Sequence, residues 1–441
     1  MNTQNQFDVA VIGAGLAGLT AAAYLAKSGR TVAVFERAPQ AGGRAASTFD
    51  SECRFNLGPH ALYRGGGSLE ILAELGIRYH GAPPEGEGRF LGFETELHPL
   101  PTGPASLLIS RALPLAAKVE LGALLARLGS IDPTPWHSDP LRAWLDAEIK
   151  HSETRKIMAA FCRLATYGNN TAEQSAGATL QQLQVGGAGV YYIDGGWQTL
   201  VDELQLVAVE AGASFHDNCA VKRLDQVETG WKLSLADGAE ISATAVISTV
   251  APKILESMLE PDLRKRLGFQ SSNLKPVQAA CLDLALRSVP RPDRRFVLGV
   301  DQPLYFSIHS AWAKLGSSQT AVIHAAKYLD PHEPHDARNN EQELEAWMDL
   351  IQPGWRAETL HRRYMPQLTV TEASVMASGG GYAGRVASSV EGLSNLWVAG
   401  DWVGSHGMLA DASLLSAQAA ARAVLECQET RRVAPGRLAV A

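Results

Sequence analysis

The chain has 441 residues, of which 46% are hydrophobic and 19% charged, so it is long enough for two domains that each bury a core. Its 46 acidic residues outnumber its 39 basic ones, which gives a net charge of −7. No cluster of lysine or arginine of the kind that follows phosphates is present, so nucleic acid is excluded as an expected partner.

Cysteine usage and the first residues predict a cytosolic protein. The five cysteines form no CxxC pair and have no histidine at metal-ligand spacing, so we expect them to be reduced and no metal to be bound. The residues before Phe7 contain neither a charged segment nor a cleavage site of a secretory leader.

The first elements have the pattern of a dinucleotide-binding unit. Phe7 to Ile12 is an apolar, β-branched run that predicts a buried parallel strand, and the alanine-rich segment Leu19 to Lys27 predicts a helix. Between them lies Gly13-Ala14-Gly15-Leu16-Ala17-Gly18. Such glycines allow a sharp turn, a close approach of backbone N–H groups to a pyrophosphate, and packing of the helix on the strand.

An acidic residue follows at the position that the ribose of a dinucleotide requires. Thr31 to Phe35 predicts the second strand, and Glu36 comes next, 36 − 18 = 18 residues past Gly18. A carboxylate there can accept both ribose hydroxyls and would repel a 2′-phosphate, which excludes NADP. The alternatives are a glycine-tolerant turn of another α/β protein, or a membrane span over Val9 to Ala26, which the three glycines argue against.

Gly42-Gly43-Arg44 is a feature that a plain NAD domain does not need. With the glycine motif and the pair Glu36-Arg37, it resembles the FAD-containing amine oxidase, phytoene desaturase and protoporphyrinogen oxidase superfamily. The resemblance implies FAD, with the GGR segment along the pyrophosphate and flavin. It also implies an α/β fold: a Rossmann-type FAD-binding domain (glutathione-reductase-like, p-hydroxybenzoate-hydroxylase-type) with an interleaved α+β substrate domain.

The same resemblance, with the loop-rich stretches, predicts discontinuous domains. Residues 1–80, 186–258 and 376–430 are expected to form the FAD-binding domain. Residues 81–185 and 259–375 are expected to form the substrate domain, and 431–441 a flexible tail.

The stretch Arg54 to Tyr63 resembles a family segment that passes close to the flavin ring. Gly58-Pro59 predicts a turn, after which His60 either faces the flavin or is satisfied by the backbone. Asn56 stands where the family usually carries an acid, so the local hydrogen bonding departs from the family pattern.

The leucine-rich region 97–129 predicts two helices, Ala105 to Ala112 and Leu115 to Leu128. One interpretation packs the second helix on the substrate domain. The other is a peripheral membrane contact that admits a lipid-like substrate, with Lys118 and Arg127 at the headgroups.

Most of the later elements are predicted from their apolar patterns. Pro140 to Tyr167 indicates one amphipathic helix, with Asp139 as its N-cap, that walls the substrate cavity. Further predicted strands are Ala220 to Leu224, Trp231 to Leu235, Ala245 to Thr249, Val277 to Leu286, Ala321 to Tyr328 and Thr359 to Tyr364, and Asn340 to Ile351 is a predicted helix.

Near the end of the chain, a buried strand, Leu396 to Ala399, is followed by Gly400-Asp401 and a predicted helix, Ala412 to Leu425. This resembles the family's C-terminal flavin motif, in which Asp401 would accept from ribityl and pyrophosphate groups. Backbone N–H groups at the helix start would stabilise negative charge on the reduced flavin. The full set of expected cofactor contacts is Gly13, Ala14, Gly15, Leu16, Ala17, Gly18, Glu36, Arg37, Gly42, Gly43, Arg44, Gly58, Pro59, His60, Val221 (to the adenine), Gly400, Asp401, Met408, Leu409 and Ala410.

No second GxGxxG has a strand before it and a helix after it, so we expect electrons to come from the substrate and to leave to oxygen, a quinone or another acceptor. The first hypothesis is a desaturase or dehydrogenase of an apolar polyene, terpenoid or tetrapyrrole-like substrate. Hydride would pass to flavin N5, and the candidate proton acceptors are His60, His406 and Asp411.

Two alternatives remain open on the sequence. One is a flavin amine oxidase, in which Lys275 would activate a water, as a lysine at a similar family position does, while Trp402 and Tyr305 flank the amine; a solvated lysine at a strand edge explains Lys275 equally. The other is a flavin-dependent isomerase with no net redox change.

Overall fold

A computed structural model describes residues 6–86, 88–92, 96–101, 103–317 and 319–433. The strands of this part of the chain are β1 Gln6–Ile12, β2 Val32–Phe35, β3 Ser47–Asp50, β4 Cys53–Asn56, β5 Leu62–Tyr63, β6 Gly81–Ala82, β7 Arg89–Gly92, β8 Glu96–Pro99, β9 Val190–Ile193, β10 Ser214–His216, β11 Val221–Val227, β12 Gly230–Leu235, β13 Glu240–Ser248, β14 Val277–Leu286, β15 Phe296–Gly299, β16 Leu304–Ile308, β17 Ala321–Tyr328, β18 Thr359–Thr371 and β19 Leu396–Val398. The helices are α1 Leu16–Lys27, α2 Ser68–Leu75, α3 Pro104–Ile109, α4 Leu115–Arg127, α5 Leu141–Glu148, α6 Ser152–Thr166, α7 Ala176–Gly187, α8 Gln198–Glu210, α9 Pro252–Met258, α10 Pro261–Arg264, α11 Ala337–Ile351, α12 Trp355–Glu358 and α13 Leu409–Val433.

The first sheet carries the glycine-rich turn. Its strand order is β10-β2-β1-β13-β12-β11, with β19 paired to the end of β13. The pairings β10–β2, β2–β1, β1–β13 and β13–β19 are parallel, so the carboxyl ends of these strands meet at one edge. A ligand of such a sheet binds at this edge.

Two alanine-rich helices pack together on one face of this sheet. Ala21, Ala22 and Ala23 of α1 are fully buried, and so are Ala417 and Ala420 of α13. Side chains this small let helix backbones approach closely, which explains why α1 is apolar on nearly every side. The span over 9–26 considered as an alternative is therefore wrong: it is a strand and a twelve-residue helix. Among the described residues, no helix is both long and apolar enough to cross a bilayer.

The second sheet has the order β18-β14-β17-β16-β15-β7-β8 and is antiparallel except between β15 and β7. Alternate residues of β14 face opposite ways, as the pleat requires. Ala280, Leu282 and Leu284 pack toward α11, whereas Ala279 and Cys281 face the helices and tyrosines of the substrate cavity. One face of this sheet is thus a wall of the cavity. The expected domain boundaries stay a prediction.

The single helix predicted over 140–167 is two helices, α5 and α6. Ile149 adopts an extended conformation (φ −129°, ψ 118°), and the backbone N–H groups of Lys150 and His151 donate to the carboxylate of Glu120 at 2.7 and 3.0 Å. A side chain of α4 therefore satisfies donors at the start of α6, and periodicity alone cannot reveal such a partner. Asp139 is not the N-cap, because α5 begins at Leu141 with Pro140 in that position.

Several other elements differ from expectation in their bounds. Strand β18 continues to Thr371, β13 already begins at Glu240, and α7 was not predicted from the sequence. Helix α13 starts at Leu409 and continues to Val433, so residues 431–433 of the expected tail are helical. Residues 434–441 of that tail lie outside the described residues.

Candidate active site

The turn between β1 and α1 needs glycine at two positions for steric reasons. Gly13 has φ +99°, and a Cβ there would lie 2.7 Å from Thr249 Oγ1. A Cβ at Gly18 would lie 1.9 Å from the carbonyl oxygen of Gly13, so α1 could not pack at its present depth. Gly15 differs: it lines the large cavity, and within 4 Å its Cβ would meet only the carbonyl oxygen of Gly42. A side chain there would fill space that the cavity now offers to a ligand.

Glu36 lies at the end of β2 and is buried. Its Oε2 accepts from the N–H of Ala14, and its Oε1 accepts from the N–H of Ala38, both at 2.8 Å. These bonds hold the carboxylate beside the glycine turn and leave each oxygen a lone pair for a ribose hydroxyl. Val221 begins β11 and is buried in the core that contains Phe35, and the N–H of Cys219, two residues earlier, donates to the carbonyl of Glu36.

Arg44 and Asp401 form an ion pair at the centre of the site. Arg44 Nη1 lies 2.7 Å from Asp401 Oδ2 and 3.1 Å from the carbonyl oxygen of Val370. Asp401 is almost fully buried, and both residues line the cavity. Arg385, which no sequence motif indicates, donates to the carbonyl of Asp401 and thereby holds this turn.

The start of α13 faces the same cavity. Leu409, at φ +56°, and Ala410 line it, whereas Met408 is buried beside a smaller pocket. Asp411 points away, because its Oδ1 accepts from the N–H of Ser68 at 2.9 Å. Burial raises the pKa of Asp411, and its bond to Ser68 opposes that rise. The positive end of the helix dipole therefore points at the cavity while Asp411 holds α2.

A cavity of about 620 Å³ extends from the glycine turn to the second sheet. Its wall at the glycine turn contains Gly15, Gly42, Arg44, Thr249, Gly400, Asp401, Leu409, Ala410 and Ser413. Its far wall is apolar and aromatic and contains Tyr63, Leu125, Phe161, Leu164, Tyr167, Leu183, Tyr192, Phe296, Tyr305 and Trp312. Most of these aromatic residues were not predicted, because they come from several strands, helices and loops that are far apart in the sequence. Among its described lining residues, the acidic side chains are Asp401 and Glu85, the latter exposed in a loop.

His60 lines the cavity between these two walls. Its Nδ1 lies 3.1 Å from the carbonyl oxygen of Gly58, which can only accept, so Nδ1 carries the proton of a neutral ring and Nε2 is an acceptor. The ring packs edge-on against Trp197 at 4.9 Å. Burial lowers the pKa of His60 to about 4, so the ring is neutral at physiological pH.

The departure at Asn56 is also explained. Its Oδ1 accepts from Ser47 Oγ at 2.8 Å and from the N–H of Trp197 at 2.9 Å. An amide oxygen can make both bonds without the charge of the family's usual acid.

Four residues considered for the substrate site do not line the cavity: Asp411, which is bonded to Ser68, and Lys275, His406 and Trp402. Lys275 forms an ion pair with both oxygens of Glu173 at 2.8 Å, and His406 is exposed and bonded to Ser405. Trp402 is buried in the core beneath the first sheet, 5.2 Å from Phe269, so it cannot flank a substrate. Tyr305 does line the cavity.

Comparison with known proteins identifies the family. The profile described as "Flavin containing amine oxidoreductase" matches residues 16–316, more than half of the chain. Over 63 residues, which is 14% of this chain and 11% of the relative, the chain is 49% identical to a subunit of the limonene dehydrogenase of Castellaniella defragrans. It is 25% identical to phytoene desaturase of Phycomyces blakesleeanus over 283 residues, 54% of this chain and 47% of the relative. The chain thus spans less than half the length of either relative.

The fold is shared with solved structures. An oxidoreductase from Methanosarcina mazei superposes with a TM-score of 0.75 at 19% identity, covering 93% of this chain and 99% of that one. The glycine turn, the buried Glu36 and the Arg44–Asp401 pair fit FAD, which that family carries. The chain therefore belongs to the flavin containing amine oxidoreductase family.

Proposed function

We propose that the protein is a dehydrogenase or desaturase of an apolar, terpenoid- or polyene-like substrate. The observation that carries this proposal is the far wall of the cavity, where leucines and aromatic rings from α4, α6, α7 and the second sheet converge. A hydrocarbon that binds against such a wall is stabilised by about 25 cal/mol for each Å² of apolar surface that it removes from water. The names of the two relatives, a limonene dehydrogenase and a phytoene desaturase, support the same class of substrate.

FAD, when bound, would accept a hydride at N5, and the residues of this chain would orient the substrate and accept the proton. The far wall excludes water and orients a C–H bond of the substrate. His60 Nε2, unprotonated in a neutral ring, is the proton acceptor that we propose for the second hydrogen. Asp401 and Arg44 hold the cofactor end of the cavity, and the start of α13 favours negative charge near it.

The structure gives an amine substrate little to bind. A buried ammonium group needs a carboxylate, and the carboxylates among the described lining residues are Asp401 and the exposed Glu85. Neither Lys275 nor Trp402 lies where the amine oxidase hypothesis requires. The carboxylate of Asp401 is already paired with Arg44.

The helix pair α3–α4 supports a peripheral membrane contact. Leu108 and Leu115 are 75% and 76% exposed, and Ile109 and Val119 are exposed beside them. Leu125 lies about 15 Å from Leu115 along α4 and lines the cavity. We expect this apolar patch (Leu108, Ile109, Leu115 and Val119) to enter a lipid surface, because an apolar substrate would then reach the cavity without crossing water.

The two cations expected at the headgroups have protein partners. Arg127 is paired with Glu148 at 2.7 Å, and Lys118 Nζ donates to the carbonyl of Leu108 at 3.1 Å. We propose that Lys118 and the exposed Arg111, which follows α3 in the sequence, are the cations beside the patch.

Anaerobic reduction of the purified flavoprotein tests the function. Limonene-type terpenes, polyenes, porphyrinogens and amines are each added, and the visible flavin band is followed. Bleaching by hydrocarbons with a product two hydrogens lighter supports the proposal, and bleaching by amines alone refutes it. A product of unchanged mass, with no acceptor consumed, identifies an isomerase instead.

A further inference from the structure

Four tyrosines of the described chain line the cavity, but their hydroxyl groups are used differently. Tyr63 donates to the carbonyl of Ala165 at 3.2 Å, and Tyr167 donates to the carbonyl of Pro59 at 2.9 Å. The protons of these two hydroxyls are therefore committed to the main chain. The hydroxyls of the other two, Tyr192 and Tyr305, hydrogen-bond to each other.

The hydroxyls of Tyr192 and Tyr305 lie 3.5 Å apart, and the hydroxyl of Tyr305 lies 3.3 Å from Nε2 of His309. The His309 ring also packs on the Tyr192 ring, with 4.2 Å between their centroids. These three side chains are here called the hydroxyl chain. It runs from the cavity wall into the core of the second sheet.

A row of three polar side chains packs behind the hydroxyl chain. Arg363 of β18, Asp283 of β14 and His324 of β17 lie side by side in the antiparallel register. Asp283 Oδ1 bonds to His324 Nδ1 at 2.6 Å, and its Oδ2 bonds to Arg363 Nη2 at 2.6 Å. The edge of His324 packs against His309, with centroids 4.5 Å apart, so the row keeps the His309 ring in place.

The row is also tied to the flavin-binding side. Arg363 Nη1 donates to Thr48 Oγ1 at 2.8 Å, and its Nη2 donates to the carbonyl of Asn56. Its guanidinium thus links β18 to the β3–β4 hairpin. The hydroxyl chain is therefore rigid with respect to both walls of the cavity.

The hydroxyl chain is neutral and can reverse its polarity. Burial raises the pKa of Tyr192 and Tyr305 and lowers that of His309, so none of them is ionised at physiological pH. If His309 Nε2 accepts, Tyr305 donates to it and Tyr192 donates to Tyr305, which leaves Tyr192 an acceptor. If Nε2 carries the proton, the order reverses and Tyr192 donates to the cavity.

We infer that Tyr192 and Tyr305 form an anchor for one uncharged oxygen, a carbonyl or hydroxyl, on an otherwise apolar substrate. A neutral pair of hydroxyls matches a neutral oxygen, and the surrounding far wall rejects additional polar groups because they would lose hydration without a partner. The anchor presupposes the apolar substrate proposed above and adds that one end of it is oxygenated.

Limonene and carvone test the anchor, because they share one carbon skeleton and carvone adds a single carbonyl. Equilibrium dialysis of the FAD-loaded protein gives the ratio of the limonene to the carvone dissociation constant. We expect this ratio to fall about five- to tenfold in Tyr305→Phe and in Tyr192→Phe, and to stay within about twofold in the control Tyr167→Phe, whose hydroxyl is bonded to the main chain. Comparing ratios between variants cancels the different hydration of the free ligands.

Wild-type protein provides a second criterion that needs no variant to fold. The preference for carvone must exceed, by about tenfold, the preference that its partition from water into an alkane predicts. The anchor is overturned if the wild-type preference for carvone equals the preference predicted by partition. It is also overturned if the ratio is unchanged in both phenylalanine variants, or if neither ligand binds. Flavin reduction is measured separately. If hydrocarbons bleach the flavin but carvone is not preferred in binding, the anchor is wrong and the proposed function stands. If carvone is preferred in binding but no substrate bleaches the flavin, the anchor stands and the proposed function is wrong.

Discussion

Arg44 Nη1 lies 2.7 Å from Asp401 Oδ2, although one residue follows the second strand and the other precedes the last helix of the described chain. Their meeting brings the two flavin motifs to one edge of the first sheet. Burial disfavours the charge on Arg44, but Asp401 and Glu372 more than offset this, so the pKa of Arg44 is raised.

Breaking this pair is expected to weaken FAD binding. In Asp401→Asn, Arg44 loses its buried counter-ion and the cofactor loses a charged acceptor, so the dissociation constant of FAD should rise about 10- to 100-fold. Fluorescence titration of the apoprotein with FAD measures it. Lys265→Ala, which breaks an exposed pair with Asp262, is the control and should leave the constant unchanged.

Gly18→Ala is expected to prevent normal packing of α1. Its Cβ would lie 1.9 Å from a backbone oxygen that cannot move aside, so we expect at least about 2 kcal/mol of destabilisation and poor FAD retention. Thermal unfolding and the flavin-to-protein absorbance ratio report both effects. Gly129→Ala has open space around its Cβ and serves as the control. A fully flavinylated, equally stable Gly18→Ala protein would contradict this packing.

The low pKa of His60 predicts a pH dependence of stability. Between about pH 4 and 6.5 the unfolded chain binds a proton at His60 that the folded chain does not. Stability therefore rises with pH across this window and is fully present above about 6.5. His60→Gln should reduce the slope of the unfolding free energy against pH by up to about 1.4 kcal/mol per unit. Urea titrations of the FAD-loaded protein at several pH values measure the slope, and a slope in His60→Gln equal to that of the wild type would contradict the prediction.

Lys275→Met is expected to leave flavin reduction unchanged within about twofold, because Lys275 lies outside the cavity in an ion pair with Glu173. That pair, followed by the bond from His332, lowers the pKa of Glu173 to about 2. Stopped-flow reduction by the substrate found in the panel measures the rate. His60→Gln, measured in parallel, should slow reduction about 100-fold or more. A large loss in Lys275→Met would restore the lysine–water hypothesis.

The apolar patch on α3–α4 is expected to bind anionic vesicles. Leu108→Glu combined with Leu115→Glu should abolish co-flotation with phosphatidylcholine–phosphatidylglycerol vesicles, since each leucine contributes about 1.5–3 kcal/mol when buried. Leu206→Glu combined with Val209→Glu changes two exposed apolar residues of α8 and is the matched control. Equal flotation of both double variants would rule out this surface.

The order of elements along the chain was sufficient to predict the cofactor half of the site. Strand, glycine turn, helix and Glu36 are consecutive, and each is required by backbone sterics or by the ribose, so their roles can be inferred without contacts. Strands β14 and β17 were predicted with the bounds that the structure has, because both are apolar runs buried on two faces.

The other half could not be inferred in this way. Glu120 of α4 accepts the N–H groups between α5 and α6, and Arg385 of a loop bonds to Asp401. Asp283, His324 and Arg363 are brought together only by strand register. None of these relationships leaves a periodic signal along the chain.

Residues that are neighbours along the chain were therefore sufficient to identify the dinucleotide site, the acidic residue beside it and the superfamily. The lining of the substrate cavity became known only from the folded chain, which places Lys275, His406, Asp411 and Trp402 outside that lining and adds Tyr192 beside the expected Tyr305. A cavity wall is assembled from single residues of many elements, and their positions follow from packing and strand register, which no local pattern encodes.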